Sequence, residues 1–386
     1  MYRPPLTLGV EEEYMLVDGA TRALTSGAAA VLEAGHPVLG DQLKAEFMQS
    51  QIEIGTKVCK NIAEVRAEIA YLRRTVSELA GGLGKAIAAA GTHPFSRWQD
   101  QAITEDERYY DLHVDMQDVA RRLLIFGMHV HLGFGDSDKA RALTIDIMNQ
   151  VRYFLPHILT LSTSSPFWHG RNTGLKSYRT ILFESLPRTG IPPIFNSYEE
   201  YDRMVELFGK VGVLGKSGKD ATKLWWDARP NPRIGTLEIR VADICTTLEE
   251  TVCVAAVIQA IVAKLVKLRL NNQSWRLYRS ELIQENKWRA SRFGIDGSLI
   301  DFGIEEAVPV RALWDEILDL VDDVVDDLGI RSEVEYVHTI FDRGTSADRQ
   351  LTTYLAARAN GDSEEQAMFK VVDQLVHETQ GEPNPA

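Results

Sequence analysis

Cysteine is scarce: Cys59, Cys245 and Cys253 are the three in 386 residues, and they show no paired spacing. No disulfide framework or thiolate zinc site is expected, and an odd count suits a reducing compartment. A basic excess is also missing. The formal charge of −13 argues against nucleic acid as the main partner, because phosphate binding needs a cationic face. No apolar run reaches bilayer length; Thr251 to Val266 comes nearest and gives way to lysines. The opening Met1-Tyr-Arg-Pro-Pro has no apolar h-region, so no signal peptide is expected. Together these absences point to a cytoplasmic protein with no membrane partner. Hydrophobic content of 45% and charged content of 25% are ordinary for a globular chain able to bury a sizeable core. With no internal repeat or low-complexity linker, the economical reading is one domain over residues 1–380. It has a strand-rich start, a helical C-terminal part and a disordered tail from 381 to 386.

What is present is acid in an unusual place. Leu6-Thr-Leu-Gly-Val-Glu-Glu-Glu-Tyr-Met-Leu-Val-Asp18 sets three carboxylates inside an apolar run, which reads as a strand rather than a solvated loop. Side chains alternate along a strand, so Glu11 and Glu13 share one face at a spacing of roughly 6.5 Å. Glu12 shares the other face with Leu6, Leu8, Val10, Tyr14 and Leu16, and is expected to be buried. Neighbouring carboxylates repel unless a cation lies between them. A solvated edge strand is the plain alternative to a metal site.

Two more strands repeat the pattern. In Ile125 to Phe134, an apolar row faces away from Gly127, His129, His131 and Gly133, where the glycines leave room for a ligand beside the imidazoles. In Thr236 to Asp243, Leu237, Ile239 and Val241 oppose Glu238 and Arg240. Between these come Glu46 and Gln51-Ile-Glu53; seven residues apart, Glu46 and Glu53 would face opposite ways on one continuous strand, so a bulge or change of structure is needed to unite them.

The rest is mostly helical. Asn61 with Glu64 reads as a capping box before an apolar stripe from Ile62 to Leu79, weakened or ended by Gly81-Gly82. A short strand is expected over Ala86 to Ala90. Helices are expected over Asp138 to Tyr153, from near Pro156, and over Thr251 to Leu270, Trp275 to Arg292, Val310 to Leu328 and Glu364 to His377. Ser164 to Asn196 reads as a long, functional loop region. Asp322-Asp-Val-Val-Asp-Asp327 reads as a solvated helix face. Gly209-Lys-Val-Gly-Val-Leu-Gly-Lys-Ser217 mimics a phosphate-binding loop but has five residues between its glycines where four are needed, so it reads as a surface turn.

Strands joined in one sheet would gather Glu11/Glu13, His129/His131 and Glu238/Arg240 on one surface, backed by a helix-covered apolar face. Carboxylates with imidazole suit Mg²⁺ or Mn²⁺, and nearby arginines suit nucleotide phosphates. A metal-dependent hydrolase built on His-x-His is a rival, although His36, His93, His113, His157, His169, His338 and His377 fall mostly in expected loops or helices. A non-catalytic nucleotide or metal sensor is another.

Seven ordered segments add a resemblance. They are Gly9-Val-Glu-Glu-Glu-Tyr14, Gln51-Ile-Glu53, Gly91-Thr-His-Pro94, Gly127-Met-His-Val-His131, Leu186-Pro-Arg-Thr-Gly-Ile-Pro-Pro193, Trp225-Trp-Asp-Ala-Arg-Pro230 and Leu237-Glu-Ile-Arg-Val-Ala-Asp243. In series they resemble the YbdK-like carboxylate–amine ligases, the glutamate–cysteine ligase type 2 family related to glutamine synthetase. The resemblance runs to about Asn286-Lys-Trp-Arg289, and more weakly beyond. It implies an α+β fold with a curved antiparallel sheet, a glutamine synthetase-like funnel covered by helices on its outer face. It also implies ATP with two or three Mg²⁺ ions, small-molecule carboxylate and amine substrates, and amide formation through an acyl-phosphate, with glutamate the expected acid. A homodimer is left open. By position, Glu11, Glu13, Glu46, Glu53, His129 and Glu238 resemble metal ligands. Arg240 and Arg229 resemble nucleotide-phosphate contacts, and Arg179 a substrate-carboxylate arginine. His131 has no assigned role. Asn286, Arg289 and Arg292 are expected near the mouth of the funnel.

Overall fold

The computed structural model describes residues 2–214 and 221–381. Its centre is β1 (Leu8–Asp18), the longest strand, whose first residues alternate between buried and half-buried as the apolar pattern demands. Around it lie β2 (Leu43–Ala45), β3 (Gln51–Gly55), β4 (Lys85–Ala88), β5 (Met128–Gly133), β6 (Ala228–Asn231) and β7 (Thr236–Ile239). The sheet order is β6-β7-β5-β1-β3-β2, with β4 paired to the far half of β1. All of these pairings are antiparallel.

One face of the sheet is covered by helices. Ile62–Gly82 packs on β1 and β4, and Leu248–Leu270 packs on β5 and on the first helix. The first is capped as its sequence suggests: the Asn61 side chain accepts the Glu64 N–H at 2.9 Å, and the Glu64 carboxylate accepts the Lys60 N–H at 2.7 Å. The Leu248–Leu270 helix carries a full capping box from Thr247 and Glu250. It is long and apolar enough to cross a membrane, which corrects the expectation from run length, but most of it is buried against the sheet and neighbouring helices. Buried side chains from Leu6 to Leu375 form one contiguous apolar core.

Glu12 is fully buried in that core. Its carboxylate accepts from Arg73 Nε at 3.0 Å, from Arg73 Nη2, from Thr251 Oγ1 at 2.6 Å and from the Tyr14 hydroxyl. Arg73 also donates to the carbonyls of Cys245 (3.0 Å) and Thr246 (2.8 Å). One ion pair therefore ties β1 to both core helices and to the segment after β7.

Several expectations change. The Glu46 and Glu53 parity problem is solved by a hairpin: β2 runs back along β3 with Lys44 opposite Glu53, so in that register residues of unlike parity share a face. The helix expected from Trp275 begins at Ser280. The loop region after Ser164 contains a helix, Tyr178–Phe183, capped by Ser177. Helices at Ala28–Leu39, Glu107–Met116, Arg331–Arg343 and Ser346–Ala359, and a hairpin pairing Ser298–Asp301 with Glu306–Pro309, were not anticipated. The 322–327 acids do lie exposed on their helix, as expected, with Asp322 and Asp326 paired to Arg331 and Asp323 to Lys264 and Lys267. Most of the expected tail (382–386) and the end of the loop that mimics a phosphate-binding motif (215–217) lie outside the described residues; Gly381 itself closes the last helix in a left-handed conformation.

Breaking a buried ion pair from one side leaves an uncompensated charge. Glu12→Gln should cost about 3 kcal/mol of stability and lower the melting temperature markedly, while the rise in melting temperature on adding Mg²⁺ stays as in the wild type. Thermal melts with and without Mg²⁺ check this, and an unchanged melting temperature would refute it.

Candidate active site

The other face of the sheet forms the floor of a cavity of about 440 Å³. Its register sets the polar residues in three cross-strand rows. Lys44, Glu53 and Glu13 form the first, which ends at the Gly127 N–H held by Glu13 at 2.6 Å. Gly55, Glu11 and His129 form the second. Gly9, His131, Glu238 and Arg229 form the third. Glu46, the residue just after β2 on the same face as Lys44, brings its carboxylate up to those of Glu13 and Glu53. Phe47, Tyr109, Leu112, Leu123 and Ile125 supply an apolar wall, with Phe183, Leu186 and Trp225 also lining the cavity.

Two groups of three potential ligands result, each with its ligand atoms within 4.8 Å of one another: Glu13, Glu46 and Glu53, and Glu11, His131 and Glu238. His129 belongs to neither group. Its Nδ1 lies 3.2 Å from Glu11 Oε2 and 3.4 Å from Arg240 Nη1. Burial and the Arg240 charge push its pKa down to about 4, so the ring is neutral at pH 7. His131, which had no assigned role, is the imidazole grouped with Glu11 and Glu238. Its Nδ1 is bonded to Thr236 Oγ1 at 3.0 Å, while its buried Nε2 has no hydrogen-bond partner and sits 3.6 Å from Glu11 Oε2. A ring fixed at one nitrogen, with the other free beside a carboxylate, is how a metal-binding histidine is held.

The two groups differ in charge. Burial works against ionised Glu238, but Arg229 and Arg240 overcome it and hold its pKa far below the usual carboxylate range. Arg229 reaches Glu238 through Nε at 2.9 Å and Nη2 at 3.1 Å, and its Nη1 goes to the carbonyls of Thr222 and Leu224. Its guanidinium is taken up by these contacts, which orient Glu238. Arg240 also bonds Glu238, and its buried Nε has no partner. The Glu13 group is short of positive charge. Burial drives the Glu13 pKa up to about 7, with Glu53 adding to the rise and Arg179 only partly offsetting it. Burial raises Glu53 well above its usual value, and Glu11 and Glu46 raise it further. Crowded acids and an orphaned imidazole nitrogen fit hard divalent cations with oxygen and nitrogen ligands.

Arg179 lies at the edge of this surface with its buried Nε unpartnered. Asp243, fully buried, accepts from Ser164 N–H (3.0 Å), Ser165 Oγ (2.7 Å) and Ser177 Oγ (2.8 Å) and faces Arg179 Nη1 at 3.8 Å. Gly127 makes this possible: a Cβ there would fall 2.4 Å from Arg179 Nη2. Gly133 similarly makes way for Thr7. The glycines of this strand therefore accommodate protein side chains rather than the ligand room expected beside the imidazoles. Asn286, Arg289 and Arg292 are not among the residues that line the cavity. Asn286 holds the backbone of Ile300, Arg289 pairs with Glu285, and Arg292 lies over Phe293. Among the described residues, His129 and His131 are the cavity's histidines, so the further imidazoles a zinc hydrolase would need are not gathered here.

An antiparallel sheet with helices on one face, and on the other two acidic groups with buried arginines beside one of them, is an arrangement whose charges suit cations and anions together. The chain matches the model of the glutamate–cysteine ligase family 2 over residues 7–373, and it belongs to that family. It is 50% identical over 375 residues to a protein of Herpetosiphon aurantiacus named "Putative glutamate–cysteine ligase 2", covering 97% of this chain and 93% of that one. A Rhodospirillum rubrum protein of the same name is 46% identical over 388 residues, covering 98% and 97%. The fold is shared with the glutamate–cysteine ligase of Francisella tularensis solved in complex with AMP: TM-score 0.66 at 12% identity, covering 98% of this chain and 90% of that one. It is also shared with a bifunctional glutathione synthetase from Pasteurella multocida, at TM-score 0.65 and 14% identity, covering 97% and 52%.

A raised carboxylate pKa has a definite consequence for stability. The folded state holds its proton on Glu13 up to about pH 7, whereas the unfolded chain releases it near the ordinary value of about 4.3. The corresponding stability is present below about pH 4.3 and is lost as pH rises through about 7. In EDTA, Glu13→Gln should match the wild type at about pH 4 and exceed it at pH 8 by up to about 4 kcal/mol. Denaturant melts at the two pH values test this; equal stabilities at pH 8 would refute it.

Proposed function

We propose that the protein is an ATP-dependent carboxylate–amine ligase that activates glutamate or a related acid and joins it to an amine, cysteine being one candidate. The observation that carries this is the gathering of two acidic groups, Arg240 and Arg179 on one walled sheet face in a chain of this family. The substrate carboxylate attacks the γ-phosphorus of ATP, forming an acyl-phosphate and releasing ADP. The amine nitrogen then attacks the acyl carbon, phosphate leaves, and the amine proton is lost to give the amide. Bound Mg²⁺ or Mn²⁺ supplies the charge neutralisation that lets an anionic acid approach an anionic phosphate.

The chain's own residues divide that work. Glu13, Glu46 and Glu53 are one proposed cation-holding group, and Glu11, His131 and Glu238 the other, with neutral His129 bonded to Glu11. Arg229 fixes Glu238 by its two-point contact. Arg240 offers its guanidinium to phosphate, and Arg179, aligned by Asp243, binds the substrate carboxylate. The apolar wall excludes water that would hydrolyse an acyl-phosphate. The curved, funnel-like form of the sheet and a cytoplasmic setting belong to the same reading, the latter supported by three buried free thiols.

Carboxylate and amine pairs screened with MgATP should give ADP and phosphate only when both substrates are present, with the amide seen by mass. AMP and pyrophosphate would overturn the acyl-phosphate route. Arg179→Gln should raise the KM for the carboxylate about 100-fold while the KM for ATP moves much less. A change confined to ATP would remove Arg179 from the acid subsite.

A further inference from the structure

We propose that Lys44 is a resident counter-cation of this site: its ammonium bridges the two acidic groups before divalent ions load, and must withdraw as they enter. The proposal rests on reading those groups as cation sites. Lys44 stands on β2, the edge strand, opposite Glu53. Its Nζ lies 2.9 Å from Glu53 Oε1 and 3.5 Å from Glu11 Oε1. Glu53 belongs to one group and Glu11 to the other, so a single ammonium touches both. It passes over Gly55, where a Cβ would stand 3.9 Å from Nζ and from Glu11 Cγ.

The position fits an occupant that can leave. The Lys44 side chain is 47% exposed, on a flexible stem whose charge is a compact point. Arg229 and Arg240, by contrast, are largely buried and bonded to Glu238. The charges also favour such an occupant. Glu53 has both Glu11 and Glu46 as repelling neighbours, and Lys44 partly offsets them. A divalent ion binding the same oxygens would meet the ammonium at contact distance, where like charges repel strongly. Apparent metal affinity is then the intrinsic affinity reduced by the work of displacing Lys44, just as any ligand is weakened when it must select a less populated state.

The full chain, stripped with EDTA and free of nucleotide, is titrated with Mn²⁺ alone by calorimetry and followed by thermal melting. Lys44→Gln should bind Mn²⁺ about three- to ten-fold more tightly than wild type, the span expected for removing a half-exposed ion pair. Its metal-free melting temperature should fall and its metal-induced rise should grow. Lys44→Arg, which keeps the charge, should bind no more tightly than wild type. Unchanged or weaker Mn²⁺ binding by Lys44→Gln, with wild type binding normally, overturns the role of Lys44 and leaves the ligase reading standing. Failure of wild type and both variants to bind Mn²⁺ overturns the cation sites and the Lys44 role with them.

Discussion

The structure depends on a carboxylate in the wrong place. Glu12 is sealed in the core between a strand and two helices, where an ionised group is tolerated only if it is paired and fully hydrogen-bonded. Arg73 meets that need and interrupts the apolar stripe of its own helix to do so. Because strand side chains alternate, burying Glu12 forces Glu11 and Glu13 to the opposite face. The rotational setting of β1, and with it the sheet's reactive face, is therefore pinned by one ion pair. A one-residue slip would bury two unpaired acids and expose the apolar row.

From that setting the site follows by register. Pairing β1 with β3 brings Glu13 against Glu53, and pairing it with β5 brings Glu11 against His129. The next pairing brings His131 against Glu238. Each contact crowds charge in a place of low dielectric, where uncompensated acids rise in pKa and compensated ones fall. Glu13 and Glu238 show the two outcomes on the same sheet face. The difference is the arginines, which β6 and the end of β7 bring to one side, while the β2–β3 side has a lysine on its rim.

Support for the site comes from segments far away in sequence. Lys287, buried on the Ser280–Phe293 helix, bonds Asp227 and Glu184 (2.5 and 2.7 Å). Asp227 in turn accepts the Arg240 backbone N–H at 2.7 Å and donates its own to Gly190 at 2.9 Å. The Trp225-Trp-Asp segment and the Leu186–Pro193 segment are thus held together behind the arginines. Their motif-like appearance reflects this bracing as much as any contact with substrate.

Sequence alone determined the local facts. Period-two patterning separated Glu11 and Glu13 from Glu12, and the His129/His131 and Glu238/Arg240 faces from their apolar rows. A capping residue and an apolar stripe located the Ile62–Gly82 helix, and the helix expected over Val310 to Leu328 spans those residues. The ordered motifs gave the family. Tertiary structure alone decided which side chains meet. Glu46 joins Glu53 because a hairpin reverses the chain, which parity along one strand cannot express. His131 rather than His129 joins Glu11 and Glu238 because β5 sits between β1 and β7 in one particular register. Gly127 is explained only when Arg179, fifty-two residues on, lies across it. Lys44 was legible as a lysine two residues before Glu46, but not as a bridge between two acidic groups. Strand faces are set by bond geometry within a few residues; partners across a sheet are set by pairing between segments that the chain brings together from far apart.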